Sequence, residues 1–159
     1  MLLDLWGKEP GSESIYADQT WMAFTGPALP PEVARVWSAV RRARDAVVEH
    51  LRRTPLPIPA CDLDDVAREV LRQAGLAEAF VHRTGHSIDR DLHGSGPHLD
   101  NLETHDTRPL EPGLGFSVEP GVYLPGRFGV RSEINVFLGP DGPEVTPATP
   151  QTEPARPGT

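Results

Sequence analysis

Histidines crowd one stretch of the chain, at His82, His86, His93 and His98, where periodicity is weak and acids are frequent. Imidazole is a good ligand for Zn, Mn, Fe or Co, and nearby carboxylates hold the ring in one orientation. The spacing fits such a site and fits an ordinary polar loop equally well. The carboxylates say more. Asp4 interrupts the apolar run Leu2–Trp6, and an ionised carboxylate in an apolar strand is costly to bury without compensation. Asp18 stands in a similar strand. Two carboxylates on adjacent strands repel by roughly 4 kcal/mol at about 4 Å near a surface, so the pair is tolerated where a cation sits between them. Glu119 precedes Pro120-Gly121, where its side chain can project beyond a strand end. Glu133 follows Arg131 by two residues, so both share one strand face. Asp4, Asp18, His86, Glu119 and Glu133 are therefore five candidate ligands. Brought together, their four carboxylates are balanced by two divalent cations. Cys61 is the single cysteine, so no thiolate set is available, and the oxygen-rich donors suit Mn²⁺, Co²⁺ or Zn²⁺.

Strands must carry most of these groups. Leu2–Trp6 reads as a short apolar strand, residues 7–12 as a turn, and Ile15–Phe24 as a second strand, together an antiparallel hairpin. Val33, Val36, Trp37, Val40, Ala43, Val47 and Leu51 form the apolar stripe of a helix. Its arginines, Arg44 among them, read as a solvated face. After the stiff Pro55–Pro59 connector, Asp62 is placed to cap a second helix that stops at Gly75. Residues 115–124 read as strand, break, strand. Val130–Leu138 reads as one further strand, with Arg131, Glu133 and Asn135 on the same side. From Gly139 onward the chain predicts an exposed, mostly unstructured end, with six of the 18 prolines between Pro140 and Pro157.

A length of 159 residues suits a single domain, and 15 Lys+Arg against 23 Asp+Glu leave a net charge of −8. Such a balance argues against nonspecific binding to nucleic acid or anionic membranes, which needs clustered Lys and Arg. One cysteine excludes a disulfide framework. No apolar run approaches the roughly 20 residues of a membrane span, and no basic leader follows Met1, so the expectation is a soluble, cytoplasmic protein.

Taken in order on LLDLWG, YADQTW, HRTGHS, FSVEPGVY and GVRSEINVF, Asp4, Asp18, His86, Glu119 and Glu133 resemble the ligand set of the pita-bread (M24-type) metallopeptidases. This superfamily includes methionine aminopeptidase, aminopeptidase P and prolidase. His82, four residues before His86, and His93, seven after it, make the Xaa-Pro aminopeptidase and prolidase branch the better match. The resemblance implies an α+β pita-bread fold, a curved antiparallel sheet with helices on one face, over residues 1–139, with 140–159 as a proline-rich tail. It implies two divalent metal ions, Mn²⁺ first with Co²⁺ or Zn²⁺ as alternatives. Asp4 would hold one metal, His86 and Glu119 the other, and Asp18 and Glu133 would bridge. His82 and His93 match substrate-binding and proton-handling histidines, and Arg131 an arginine supporting the carboxylates. The implied reaction is cleavage of peptides with proline at the second position by a metal-bridging hydroxide, Glu119 relaying its proton and His93 stabilising the oxyanion. No nucleic-acid or membrane partner is implied, and a homodimer is compatible.

Three departures qualify the match. Asp4 and Asp18 are spaced a few residues more widely than usual, which extra residues in the Lys8–Ser14 turn absorb. Asp89 stands where the family tends to have glycine, predicting local distortion near His86. The helices and strand that precede the first aspartate in the family are missing here. The alternative reading is accordingly a catalytically inactive, truncated fragment that binds metal or a partner. A relative acting on a non-peptide C–N bond, as creatinase does, is the third, and the intact ligand set argues against it.

Overall fold

Leu2–Gly7 (β1) and Ala17–Met22 (β2) pair antiparallel in the computed structural model, which describes residues 1–156. The register sets Asp4 opposite Thr20 and Trp6 opposite Asp18. Asp4, Asp18 and Thr20 therefore share a face, because side chains alternate along a strand. On β2 that face is buried (Asp18, Thr20 and Met22), whereas β1 is exposed along its whole length.

Helix α1 (Pro31–Arg53) begins at a proline, where the missing N–H goes unneeded, and buries the expected stripe. Arg44 is a correction to the arginine face: it is 2 % exposed. It lies four residues after Val40 and three before Val47, inside the stripe. Its Nη1 donates to Ser132 Oγ at 2.7 Å and to the Gln151 carbonyl at 2.9 Å. Helix α2 (Ala60–Gln73) starts two residues ahead of the expected Asp62 cap. The short pair β3 (Ile58–Pro59) and β4 (Pro109–Leu110) brings backbone carbonyls to the helix start. Ala60 N donates to Arg108 O and Cys61 N to Asp106 O, so no side-chain cap is needed. The helices pack on each other, and α1 lies against the strands that follow.

β5 (Gly115–Val118) and β6 (Gly121–Leu124) realise the strand, break, strand pattern. The expected single strand over Val130–Leu138 is instead two, β7 (Phe128–Arg131) and β8 (Ile134–Gly139). β7 pairs with β6, and β8 with β5. The chain changes partner at Ser132-Glu133, where Ser132 N donates to Pro120 O and Glu133 N to Thr20 O. The end of the chain also differs from expectation. β9 (Gly142–Thr146) adds an antiparallel strand to β8. The Gln151 carboxamide then accepts from Met22 N at 2.8 Å and donates to Met22 O at 2.7 Å. Proline-rich composition hid these contacts because carbonyls and one glutamine make them. Pro157 lies outside the described residues.

Asp89 produces no distortion. No described non-glycine residue has positive φ, and its carboxylate accepts from Asp91 N at 2.7 Å and Ser95 N at 3.0 Å, fastening the loop after His86. No helix among the described residues is long and apolar enough to cross a membrane.

Candidate metal centre

Backbone contact fixes His86 first. A Cβ on the preceding Gly85 would lie 1.9 Å from Ser117 O, so glycine lets this segment press against β5. There His86 N donates to Ser117 Oγ at 2.9 Å and Ser117 N donates to His86 O at 2.8 Å. His86 Nδ1 lies 3.0 Å from Ser87 O. A carbonyl only accepts, so Nδ1 carries a hydrogen and Nε2 faces the cluster. Nε2 is 3.5 Å from both Asp18 Oδ2 and Glu119 Oε1.

One ligand atom each from Asp18, His86 and Glu133 lies within 4.8 Å of the others, and all three residues are buried. Asp18 comes from β2, Glu133 from the break before β8, and Glu119 from the end of β5. Glu119, 3.5 Å from His86 Nε2, and Asp4 both lie outside that close trio. The Asp4 carboxylate, 42 % exposed, forms an ion pair with Arg131. All five nevertheless line one cavity of about 520 Å³, together with His82, His93 and Arg131.

Three residues outside the candidate ligands hold them in place. Thr20 Oγ1 donates to Glu133 Oε2 at 2.6 Å and accepts from Arg131 Nε at 2.9 Å. Ser117 Oγ donates to Glu119 Oε1 at 3.0 Å. Asn135 brackets Asp18 through that residue's backbone. Asn135 was placed on the right face by strand alternation, but nothing in the sequence says what it bonds. Tyr123 was also missed. Its ring lies over Gly121 and Gly129, whose Cβ atoms would meet it within 3 Å, and its hydroxyl is 2.9 Å from His82 Nε2. The pair of glycines flanking Tyr123 and Arg131 was the available signal.

Electrostatics agree with a site short of positive charge. Burial, reinforced by the charge of Glu119, pushes the Glu133 carboxyl up to about 8. Burial raises Glu119 as well, against the pull of His86 and Arg131. For His86, burial disfavours the imidazolium, but the bonds to Asp18 and Ser87 O and the Glu119 charge outweigh it and raise it. His82, bonded at Nδ1 to Arg83 O, and His93 are both held below the usual histidine range, chiefly by burial. The His93 ring meets that of His86 edge-on, with centroids 4.3 Å apart. Two buried oxygens, Asp18 Oδ1 and Glu133 Oε1, have no hydrogen-bond partner among the described residues. Bare carboxylate oxygens beside a histidine Nε2 are the chemistry a hard divalent cation satisfies.

Comparison with known proteins agrees. The model of metallopeptidase family M24 matches residues 2–140. The probable dipeptidase PepE of Mycobacterium tuberculosis is 43 % identical over 111 residues, 70 % of this chain and 28 % of that protein. The Xaa-Pro dipeptidase of Lactobacillus helveticus is 37 % identical over 107 residues, 67 % of this chain and 27 % of its own length. In structure, dipeptidase PepE from Mycobacterium ulcerans superposes with a TM-score of 0.82 at 36 % identity, covering 98 % of this chain and 38 % of that one. The pita-bread architecture is therefore that of the chain, which spans less than a third of the length of these curated relatives.

Proposed function

The chain belongs to metallopeptidase family M24, and from that membership we propose that it is a dinuclear-metal hydrolase of Xaa-Pro peptide bonds. The observation that carries this is the pair of unpartnered buried oxygens on Asp18 and Glu133 beside His86 Nε2. Asp18, His86, Glu119 and Glu133 would hold metal, with Asp4 completing the set once it leaves Arg131. Mn²⁺ is the first choice, Co²⁺ and Zn²⁺ the alternatives. When bound, divalent ions supply Lewis acidity and make water a nucleophile near neutral pH.

The protein's own groups handle protons and orientation. Glu119, whose burial favours the protonated form, takes the proton of the attacking water. His93, beside His86, donates to the developing oxyanion. His82 is neutral, with Tyr123 donating to its Nε2, and binds substrate from the wall. Arg131 holds Asp4 and Thr20 in register.

A second reading has its own observation. Asp4 is tied to Arg131 on a wholly exposed strand, so only part of the ligand set is assembled, as in a chain that binds metal or a partner without turnover. Elemental analysis with Gly-Pro hydrolysis separates the two. Near two metals per chain, with turnover abolished by Glu133→Ala, supports the hydrolase; bound metal without turnover in the wild type would falsify it.

A further inference from the structure

Helix α2 turns one ion pair toward the segment that carries His82. Asp64 is fully buried, and its Oδ2 accepts from Arg68 Nε at 2.6 Å, one helical turn further on. The pair grips both flanks of His82. Arg68 Nη2 donates to the His82 carbonyl at 2.6 Å, and Nη1 to that of Phe80 at 3.3 Å. Asp64 Oδ1 accepts from Thr84 N at 2.8 Å and from Thr84 Oγ1 at 2.6 Å. The imidazole is reached as well. The Arg68 guanidinium lies over the Phe80 ring, 4.4 Å from its centroid, and Phe80 meets the His82 ring edge-on at 5.1 Å. His82 lines the cavity, and neither Asp64 nor Arg68 does.

We infer that Asp64 is a positioning residue for substrate binding, acting through Arg68 and Thr84 to hold His82 on the cavity wall. The inference rests on the peptidase reading above, in which His82 binds substrate. A buried ion pair adds little net stability over apolar side chains of the same volume. What this one adds is direction, since its bonds fix the backbone on either side of a single wall residue. The last contact of Asp64, from Asn101 N at 2.9 Å, fastens the loop that brings Glu103 to the same wall. His86 has separate support in its paired contacts with Ser117, so a change at Asp64 reaches the wall and leaves the metal ligands in place.

Asp64→Asn keeps the shape, removes the charge that holds Arg68 and turns an amide N–H toward a donor. In the Mn²⁺-loaded protein, KM for Gly-Pro should rise by about tenfold to a hundredfold, the cost of a displaced binding group, with kcat and Mn²⁺ affinity within about twofold of wild type. Combination with His82→Ala separates positioning from scaffolding. A residue acting through His82 keeps less than half of its logarithmic penalty in the double variant. Half or more retained, or no rise in KM, overturns the inference and leaves the hydrolase reading standing. A matching fall in Mn²⁺ affinity also overturns it, by placing the effect at Glu119, whose N donates to Thr84 O at 2.7 Å. If Asp64→Asn does not fold, Arg68→Lys carries the same cycle, because one ammonium replaces three nitrogens that each bond a different residue. If metal binds and the wild type cleaves nothing, the hydrolase reading fails, and the cycle is read in calorimetric affinity for Gly-Pro. The same outcomes then decide, and no binding to the wild type overturns the inference.

Discussion

Asn135 closes two hydrogen bonds on the backbone of Asp18, accepting from its N–H at 2.9 Å and donating to its carbonyl at 2.8 Å. A carboxamide here does what a neighbouring strand's peptide group would do, and so joins β2 to β8 beside the Asp18, His86 and Glu133 cluster. Asp18 is thus held from both sides, by its pairing with Trp6 in β1 and by Asn135 in β8.

Asn135→Leu keeps the side-chain volume and removes both partners. An orphaned backbone group costs about 1–3 kcal/mol, so the variant should lose about 2 kcal/mol of stability in urea. Loss of a ligand-orienting contact typically costs 10–100-fold in metal affinity. Calorimetric titration with Mn²⁺ should show a drop of that order. Unchanged Mn²⁺ affinity in a folded variant would reduce Asn135 to scaffolding.

Arg44 should behave as a buried structural cation behind the site. Arg44→Leu leaves without their donor Ser132 Oγ, in the break that separates Arg131 from Glu133, and Gln151 O, beside Met22. The expected loss is about 3 kcal/mol, from bonds to a charged donor and the acceptors left unpaired. Chemical denaturation measures it. A loss under about 1 kcal/mol would show that Asp45, on the exposed side, satisfies the guanidinium without the core partners.

Sequence reading reached the hairpin and both helices, and it picked out residues that the fold gathers round one cavity, because each has a local signature. The β-forming run around it placed Asp18, periodicity placed α1, and the EPG context tied Glu119 to a strand end; alternation set Arg131 and Glu133 on one side of a single strand, which the chain in fact breaks between them. It failed where a partner comes from far along the chain. Arg44 reads as surface until Ser132 and Gln151 are known to face it. Asp62 reads as a cap until the carbonyls of Asp106 and Arg108 arrive at the helix start. Thr20 looks like a generic strand residue, and only the folded hairpin shows that one hydroxyl serves both Glu133 and Arg131.

Asp106 should give the fold an acid-sensitive anchor. Its carboxylate accepts from His98 N at 2.8 Å and from Arg108 Nη2 at 2.6 Å, and the Arg108 guanidinium holds it well below the usual carboxylate range. A depressed folded-state pKa stabilises above the unfolded value, near 4, and that stabilisation is lost as pH falls below it. Asp106→Asn should therefore be less stable than the wild type at pH 6, with the gap narrowing toward pH 2. Thermal melts across that range check it; a constant gap would assign the effect to packing.

Metal removal should have the opposite pH dependence. With no cation present, the folded chain holds the Glu133 proton up to about 8 because burial and Glu119 disfavour the anion. The unfolded chain releases that proton near pH 4.3. A raised folded-state pKa stabilises fully below the unfolded value, and the contribution is lost as pH rises through the folded one. The chelator-treated protein should therefore weaken from pH 5 to pH 8. Mn²⁺ must displace the same proton, so its affinity should rise over this window, by up to about tenfold per pH unit for one proton released. The difference in Tm between Mn²⁺-loaded and chelated samples should consequently widen with pH. Equal differences at pH 5.5 and pH 8 would place the cation away from Glu133, and Glu133→Gln, which has no proton to lose, should flatten the trend if the carboxyl is its source.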